Sequence, residues 1–345
     1  MARTLRLPPL VAAVAVASLG ASTAAGAQDK AITLKIAHWV PPQHPLHASL
    51  EIWGKSVEKA SGGTIKYQIF PSQQLGQAKD HYDMVRDGIA DFAYVNPGYT
   101  PGRFPIIAAG EIPFLFANAT SGAAALDAWY RKYADKEMSD VKVCFALPHS
   151  PGTFHSRMKI TSPEQIKGLK VRSANATVGR MVTQLGGTNV QVSAPEAREA
   201  MERGVADAIT FPWDSIILFG IDRAARFHLD VPLYVSVFVF PMNKGTYERM
   251  SPAQKKVIDE HCTTEWAERI STPWAEREDS GRNRLMKMPG HTVLAATPAE
   301  LDAWKKVVEP ITRDWLADAS KKGIDARAAL QELKDELKKR NAAAF

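Results

Sequence analysis

Lys167-Gly168-Leu169-Lys170-Val171-Arg172 and Ala208-Ile209-Thr210-Phe211-Pro212-Trp213 are two short stretches whose patterns predict β-strands. The first ends in a single arginine, and the second ends in two aromatic residues around a proline. Residues 175–185 and 194–203, between them, have helical patterns. Parallel strands that each lead into a helix end at the same edge of a sheet, where open α/β sheets bind ligands. A cation beside aromatic rings at that edge suits a small carboxylate with an apolar body.

The chain before these strands alternates strands with helices. Residues 33–38, 64–70 and 91–95 have strand patterns, and residues 44–60 and 76–87 have helical ones. This order is typical of a parallel sheet with helices packed on its faces. The sequence therefore predicts an α/β fold.

Later elements predict how two sheets are joined. Residues 141–148 and 153–159 are predicted strands, and residues 231–241 form a β-branched and aromatic run too long for an ordinary strand. We expect that run to cross between two sheets. Residues 251–281 are helical, and Pro273 is expected to kink or break this helix because proline lacks the amide hydrogen.

The first 27 residues have the pattern of a secretory signal peptide. Arg3 and Arg6 precede an apolar run over residues 10–19, and Ala25-Gly26-Ala27 is a small-residue cleavage site. An uncleaved membrane anchor is the alternative, but the apolar run is too short to cross a bilayer. We expect cleavage before Gln28 and a periplasmic location.

Size and charge limit the class of protein. Removing a 27-residue leader from 345 residues leaves 318, which favours two domains because single cores stop growing near ~250–300 residues. The net charge is +6 for the whole chain, with 43 basic and 37 acidic residues. The two kinds of charge are interspersed, so the sequence does not indicate a nucleic-acid-binding surface.

The two cysteines, Cys144 and Cys262, leave two alternatives open. An exported protein can form a disulfide between them. Cys144 also lies in the apolar run of residues 141–147, which suits a buried free thiol equally well.

Six short motifs occur in a fixed order behind the leader. They are Leu34-Lys35-Ile36-Ala37-His38, Phe70-Pro71-Ser72-Gln73-Gln74-Leu75-Gly76, Asp87-Gly88-Ile89-Ala90-Asp91, Pro113-Phe114-Leu115-Phe116, Lys167-Gly168-Leu169-Lys170-Val171-Arg172 and Gly204-Val205-Ala206-Asp207. Over nearly the whole mature chain, this order resembles the solute-binding proteins of tripartite ATP-independent periplasmic (TRAP) transporters, in the group that binds organic acids.

The resemblance implies a two-lobed, periplasmic-binding-protein-like fold with a ligand cleft between the lobes, crossing strands and a long linking helix. We expect residues 28–150 and 239–280 in lobe I, and residues 151–238 and 281–345 in lobe II. The resemblance also implies closure of the lobes on a small carboxylate and delivery of this ligand to the membrane subunits of a TRAP transporter. No cofactor, metal or nucleic acid is expected, and the protein is expected to be a monomer.

Arg172 occupies the position where this family places an arginine that forms a two-point salt bridge with the ligand carboxylate. A guanidinium suits that role because its planar fork matches a carboxylate with two parallel hydrogen bonds. The alternative for Arg172, judged from the residues alone, is a surface or structural ion pair.

Two positions depart from family members that bind sialic acid and similar polar acids. Phe154 follows Gly152-Thr153 where those members have a second arginine, and Phe211 replaces an asparagine before the proline. Both changes remove hydrogen-bond donors and are expected to add apolar area. The sequence thus favours a hydrophobic monocarboxylate, such as an aromatic, 2-oxo or 2-hydroxy acid. If Phe211 or Trp213 faces the core, a sugar acid or a dicarboxylate remains the alternative.

Further candidate ligand contacts lie where predicted strands end or helices begin. They are His38, Trp39, Gln73, Tyr94, Asn96, His149 and Asn175, in addition to Arg172, Phe154, Phe211 and Trp213. A packing or loop role is the alternative for each of them.

An enzyme is the competing class. An exported α/β hydrolase would need a nucleophile motif, but the chain has no Gly-x-Ser-x-Gly and no His-Glu-x-x-His. His44-Pro45-Leu46-His47 has a spacing that a metal can use, although a surface pair at a helix start explains it as well. A solute receptor for another importer or for a sensor is the second alternative.

Overall fold

The computed structural model describes Met1 and residues 29–345. The predicted signal peptide and its cleavage site fall in residues 1–28 and, apart from Met1, lie outside the described residues. In the described part of the chain, every helix is too short or too polar to cross a membrane.

The described residues contain eleven β-strands and thirteen α-helices. The strands are β1 Ile32–Ala37, β2 Ile65–Phe70, β3 Phe92–Ala93, β4 Val141–Pro148, β5 Thr153–Ser156, β6 Lys170–Arg172, β7 Thr188–Val190, β8 Ala208–Phe211, β9 Phe227–Asp230, β10 Val237–Asn243 and β11 Thr292–Ala295. The helices are α1 Pro45–Ala60, α2 His81–Arg86, α3 Thr120–Tyr130, α4 Ala134–Glu137, α5 Ala176–Gln184, α6 Ala194–Glu202, α7 Ser215–Leu218, α8 Lys244–Glu248, α9 Pro252–His261, α10 Thr264–Lys287, α11 Pro298–Lys306, α12 Val308–Ser320 and α13 Ala326–Lys339.

Lobe I is built on a five-stranded sheet in the order β2-β1-β3-β10-β4. Strands β2, β1 and β3 are parallel, as the alternation of strands and helices predicts, whereas β10 is antiparallel to β3 and β4. Helix α1 shows how the sequence builds one face. It begins with Pro45 at its first position, and a buried stripe at helical spacing packs on the sheet: Leu46, Leu50, Trp53 and Val57.

Lobe II is built on a six-stranded sheet in the order β11-β9-β5-β8-β6-β7. Strands β6 and β8 are parallel neighbours, with Arg172 opposite Ile209. The carboxyl ends of these two strands therefore lie side by side, which confirms the predicted meeting of Arg172 with the end of β8.

Several connections join the lobes, and the first of them, residues 149–152, leads from β4 in lobe I to β5 in lobe II. Residues 231–236 lead from β9 in one sheet to β10 in the other, so the run over 231–241 does cross between sheets, but the strand itself begins only at Val237. Helix α10 is the linking helix. It packs on α1, α3 and β4 in lobe I and on α7 and β11 in lobe II.

Of the kink or break expected at Pro273, the break is wrong, because α10 runs continuously from Thr264 to Lys287 through this proline, and the kink stays a prediction. Next to Pro273, the Thr272 hydroxyl donates to the Glu268 carbonyl oxygen at 2.8 Å. The break falls instead at Cys262 and Thr263. There the Thr263 side chain caps the new helix by accepting a hydrogen bond from the Trp266 amide at 3.4 Å.

Cys144 on β4 and Cys262 between α9 and α10 form a disulfide, with their Cα atoms 4.4 Å apart. Of the two alternatives left by the sequence, the structure therefore has the bonded one. The bond joins residues 118 positions apart and ties the start of the linking helix to the sheet of lobe I.

The predicted division into lobes differs from the observed contacts at the end of the chain. Helix α13 packs on α3, and the Trp129 indole donates to the Ala329 carbonyl oxygen at 2.8 Å. Leu330, Leu333 and Leu337 belong to a core cluster of the lobe I sheet. The last helix therefore lies on lobe I, although residues 281–345 were expected in lobe II.

Candidate ligand site between the lobes

A cavity of about 350 Å³ lies where the two lobes meet the crossing segment and α10. We call it the Arg172 cavity. Its walls are formed by Trp39, His44, Asn96, Tyr99, His149, Arg172, Ala174, Ala194, Phe211, Pro212, Ser215, Phe219, Tyr234, Ser236, Phe238 and Trp274.

Arg172, at the end of β6, is 1% exposed. Its Nε donates to the Val192 carbonyl oxygen at 3.0 Å and its Nη1 to the Thr210 carbonyl oxygen at 3.3 Å. Among the described residues, no Asp or Glu carboxylate forms an ion pair with this guanidinium. A buried cation held by carbonyl dipoles alone favours an external anion, because an unpaired buried charge is costly.

Two more hydrogen-bond donors on the cavity wall are buried without a partner among the described residues. They are the Trp39 indole nitrogen, after β1, and the Tyr234 hydroxyl, in the crossing segment. Burial raises the pKa of Tyr234, so its hydroxyl keeps its proton and can donate. Together with Arg172, they surround the cavity with donors from lobe I, lobe II and the connection between them.

The two histidines on the wall are neutral. The Nδ1 of His149 faces the Ser150 carbonyl oxygen at 2.6 Å and must donate, while its Nε2 accepts from the Ser236 amide at 2.9 Å. Burial lowers the pKa of His149 to about 4 and that of His44 to about 3. Both nitrogens of His149 are occupied, so it offers the ligand a ring face, and Arg172 supplies the positive charge at this wall.

Aromatic rings form most of the remaining wall. Trp39 stacks on Tyr94 with ring centroids 4.9 Å apart, and Phe238 packs against Trp274 at 5.7 Å. Phe211 lies with its ring centroid 5.3 Å from the Arg172 guanidinium carbon. An arginine beside an aromatic face gives a site for a carboxylate that carries an apolar group.

The structure brings five of the predicted site residues to this cavity. They are Trp39, Asn96, His149, Arg172 and Phe211. Asn96 is held in place because its Oδ1 accepts from the Gly98 amide at 2.9 Å. These five come from both lobes, so the cavity has the position that the sequence predicts for a ligand.

Three other predicted residues support the wall from behind. Tyr94 lies under Trp39. Asn175 caps α5 by accepting from the Val178 amide at 2.8 Å, and it donates to the Ser236 hydroxyl at 3.0 Å. Trp213 packs edge-on against His155, with ring centroids 5.3 Å apart. None of the three is part of the cavity lining.

The last three predicted residues lie elsewhere. His38 is bonded to His47 at 2.8 Å, and the Gln73 side chain accepts from the Ala78 amide at 2.7 Å. Phe154 packs against Trp304 in the core of lobe II, with ring centroids 5.4 Å apart. Phe154 therefore adds no apolar surface to the cavity, contrary to expectation, because the alternation along β5 turns its side chain to the core.

Sequence reasoning missed His44, Tyr99, Tyr234, Phe238 and Trp274 on the wall. One signal was available. Tyr234, Ser236 and Phe238 are spaced two apart in the crossing segment, and a segment of extended chain turns every second side chain to one face. Trp274 gave no comparable signal, since its place depends on how α10 crosses the lobes.

A second cavity, of about 580 Å³, contains Glu111, and we call it the Glu111 cavity. Its arginine, Arg180, is paired with Asp318 at 2.9 Å and lies 3.9 Å from Asp314. Burial raises the pKa of Glu111 to about 8. This cavity is larger but presents no unpaired cation among the described residues, so it does not suit a carboxylate. Those residues also contain no cluster of three or more His, Cys, Asp or Glu arranged to hold a metal.

Two α/β lobes, crossing segments that join them and a cavity between them define a two-lobed ligand-binding protein. The sequence profile of the bacterial extracellular solute-binding proteins of family 7 (DctP) matches residues 36–318. The chain belongs to this family, and it is a solute-binding protein of the TRAP type rather than a hydrolase.

Three solved structures illustrate the similarity. A TRAP solute-binding protein from Rhodoferax ferrireducens T118, in complex with copurified benzoate, is 29% identical, with a TM-score of 0.84 over 90% of this chain and 98% of that one. A marine metagenome protein specific for aromatic acids, with 3-hydroxybenzoate, is 30% identical, with a TM-score of 0.84 over 90% and 99%. A Bordetella bronchiseptica protein with bound (R)- and (S)-mandelate is 28% identical, with a TM-score of 0.84 over 89% and 99%.

Proposed function

We propose that this protein captures an aromatic monocarboxylate in the periplasm and that Arg172 binds the carboxylate. The observation that carries the proposal is a buried guanidinium without an acidic partner among the described residues, in a cavity walled by aromatic rings. The three similar structures, which hold benzoate, 3-hydroxybenzoate and mandelate, support the same class of ligand.

The wall favours an aromatic body over a sugar ring. Phe211, Phe219, Phe238 and Trp274 offer no hydrogen bond acceptor to hydroxyl groups. Each ligand hydroxyl buried without a partner costs about 1–3 kcal/mol. A phenyl group gains roughly 2–3 kcal/mol from its own burial. These two effects act in the same direction, so the ligand class is an aryl acid with few or no hydroxyl groups.

Closure and delivery follow from the two-lobed construction. Trp39 comes from lobe I and Arg172 from lobe II, so a ligand that contacts both stabilises the closed arrangement over an open one. The predicted signal peptide would export the chain to the periplasm. There the closed form would dock on the membrane subunits of a TRAP transporter, and the protein itself catalyses no reaction.

Isothermal titration calorimetry of the purified mature protein tests the ligand class. The panel consists of benzoate, 3-hydroxybenzoate, mandelate and phenylglyoxylate, with glucuronate and succinate as the polar controls. We expect binding of at least one aryl acid to be at least about 100-fold tighter than binding of either control, a difference of about 3 kcal/mol. Tighter binding of glucuronate or succinate than of every aryl acid would refute the proposal.

A further inference from the structure

Glu278 on α10 is a buried carboxylate, 2% exposed, that accepts hydrogen bonds from two walls of the Arg172 cavity. Its Oε1 accepts from the Trp274 indole nitrogen at 2.9 Å, and from the Ser215 amide at 3.1 Å and the Ser215 hydroxyl. Its Oε2 accepts from the Asp214 amide at 2.5 Å. One carboxylate thus holds the start of α7 against the linking helix.

The donors bonded to Glu278 include two residues of the cavity wall. Trp274 belongs to α10, whereas Ser215 begins α7 just after Pro212. The two elements are in close contact here, since a Cβ atom added to Gly281 would lie only 2.2 Å from the Asp214 amide nitrogen. Glu278 therefore fixes how the indole of Trp274 stands relative to the end of β8.

The charges around Glu278 leave it without a counterion of its own. Asp214, on the facing element, pairs with Arg277 at 2.5 Å and with Arg284, so these two arginines of α10 are engaged by that carboxylate. The other titratable groups that face this region are the hydroxyls of Tyr94 and Tyr234 and the imidazoles of His44 and His149, both of which pack against Trp274. Glu278 is stabilised by hydrogen bonds from neutral donors alone.

We propose that Glu278 is a positioning residue of the ligand site, and that its protonation loosens the Trp274 wall so that aromatic carboxylates bind more weakly in acid. The inference rests on the proposed function for its ligand. Protonation turns a charged acceptor into a neutral one, and hydrogen bonds to a neutral acceptor are about half as strong. The hydrogen bond that holds the indole of Trp274 is then weaker.

The expected pH range is close to neutral. Burial raises the pKa of Glu278 to about 7, and the hydrogen bonds from Ser215, Trp274 and the two backbone amides oppose this shift. The carboxylate is therefore ionised at pH 8.5 and largely protonated at pH 6. Benzoate stays ionised over this whole range, so a change in affinity cannot come from the ligand.

The first experiment needs no ligand. The tryptophan fluorescence of the free protein is followed from pH 6 to pH 8.5 in the wild type, in Glu278→Gln and in Trp274→Phe. We expect a component with a midpoint near pH 7 in the wild type and its loss in both variants, while the other tryptophans keep their response. If the component survives in Glu278→Gln, the coupling between Glu278 and Trp274 is refuted.

The second experiment measures the benzoate Kd by calorimetry over the same pH range. We expect the wild-type Kd to rise about fivefold to tenfold from pH 8.5 to pH 6 and the Kd of Glu278→Gln to be weaker and independent of pH. Glu276→Gln, an exposed neighbour on the same helix, should keep the wild-type profile. A Glu278→Gln profile identical to that of the wild type would overturn the inference.

The two proposals fail in different ways. If wild-type protein binds none of the aryl acids at any pH, the proposed function fails, whereas the fluorescence experiment still decides the Glu278–Trp274 coupling. If aryl acids bind with no pH dependence in the wild type, the function stands and the positioning role falls. Should Glu278→Gln not fold, as judged by circular dichroism, Trp274→Phe keeps the test open because it should flatten the same profile.

Discussion

The Arg172 cavity and the Glu111 cavity share three stretches of chain in their walls, yet their charges are satisfied differently. Residues 96–100, 172–180 and 234–238 contribute to both. The smaller cavity has a buried cation with no acidic partner among the described residues, while the larger has an arginine paired with an aspartate and a buried acid. We therefore place the proposed ligand at the cavity with the unsatisfied charge rather than at the larger one.

The largest expected effect comes from removing the unpaired cation. Arg172→Met leaves a bound carboxylate buried without its counterion, at a cost of about 3–5 kcal/mol. The Kd of the preferred aryl acid should therefore rise by more than about 100-fold. Calorimetry with the mature protein measures this directly.

Arg180→Met is the matched control. Arg180 lies on α5, eight residues after Arg172, and is bonded to Asp318 at the Glu111 cavity. Arg180→Met should leave the Kd within about twofold, as expected for a partly exposed ion pair. Equal losses in the two variants would mean that the contrast between the cavities does not determine where the ligand binds.

The fold was predictable to the extent that local patterns determine it. The strands that end at Arg172 and Phe211 are short apolar runs closed by distinctive residues, and they meet as expected because parallel neighbours end at one edge. The helix over 251–281 was placed correctly but divided at the wrong residue. A cap at Thr263 begins a new helix, whereas the interior proline is accommodated.

The residues of the candidate site were predictable from the sequence only where they lie at the end of a strand. Phe154 lies on β5, where side-chain alternation turns it to the core of lobe II, and the direction of that alternation depends on pairing that one sequence does not reveal. Trp213 lies beyond the end of β8, next to the cavity residue Pro212, but its ring packs against His155. Trp274 reaches the cavity, and Glu278 accepts a hydrogen bond from it, through the packing of a 24-residue helix across both lobes. Such long-range placement has no local signature.

The second largest expected effect concerns Glu111 and tests the charge of the Glu111 cavity. Burial raises the pKa of Glu111 from 4.5 to about 8, so the folded protein keeps this proton where the unfolded chain has lost it. The stability linked to this proton is complete below pH 4.5 and is lost as the pH rises through 8. From pH 6 to pH 9 this group should lower the free energy of unfolding by about 3 kcal/mol.

Urea unfolding of Glu111→Gln at pH 6 and pH 9 measures that contribution by difference from the wild type. The variant keeps a neutral side chain of the same size, so its stability should fall less between the two pH values. Its Kd for the aryl acid should stay unchanged. A pH dependence equal to that of the wild type would show that Glu111 is ionised, and the Glu111 cavity would then repel anions even more strongly.

The smallest expected effect on affinity comes from a single buried hydroxyl. It distinguishes a donor that can bind the ligand from a donor that only packs in the core. The hydroxyls of Tyr234 and Tyr94 are both buried without a partner among the described residues, but only Tyr234 lines the Arg172 cavity. Tyr234→Phe removes a donor that can reach a carboxylate, so affinity should fall about tenfold, on the order of 1.5 kcal/mol for a hydrogen bond to a charged group. Calorimetry with the preferred aryl acid checks this value.

Tyr94→Phe is the control. We expect it to leave the ligand affinity unchanged and to raise the stability of the protein slightly. Tyr94 lies behind Trp39, with ring centroids 4.9 Å apart, so the ligand gains nothing from its hydroxyl and the Kd should stay within about twofold. Removing an unpaired buried hydroxyl relieves a desolvation cost, and the free energy of unfolding should rise slightly. If Tyr94→Phe weakens binding as much as Tyr234→Phe, the ligand reaches deeper than the cavity wall, and Trp39 must move aside when it binds.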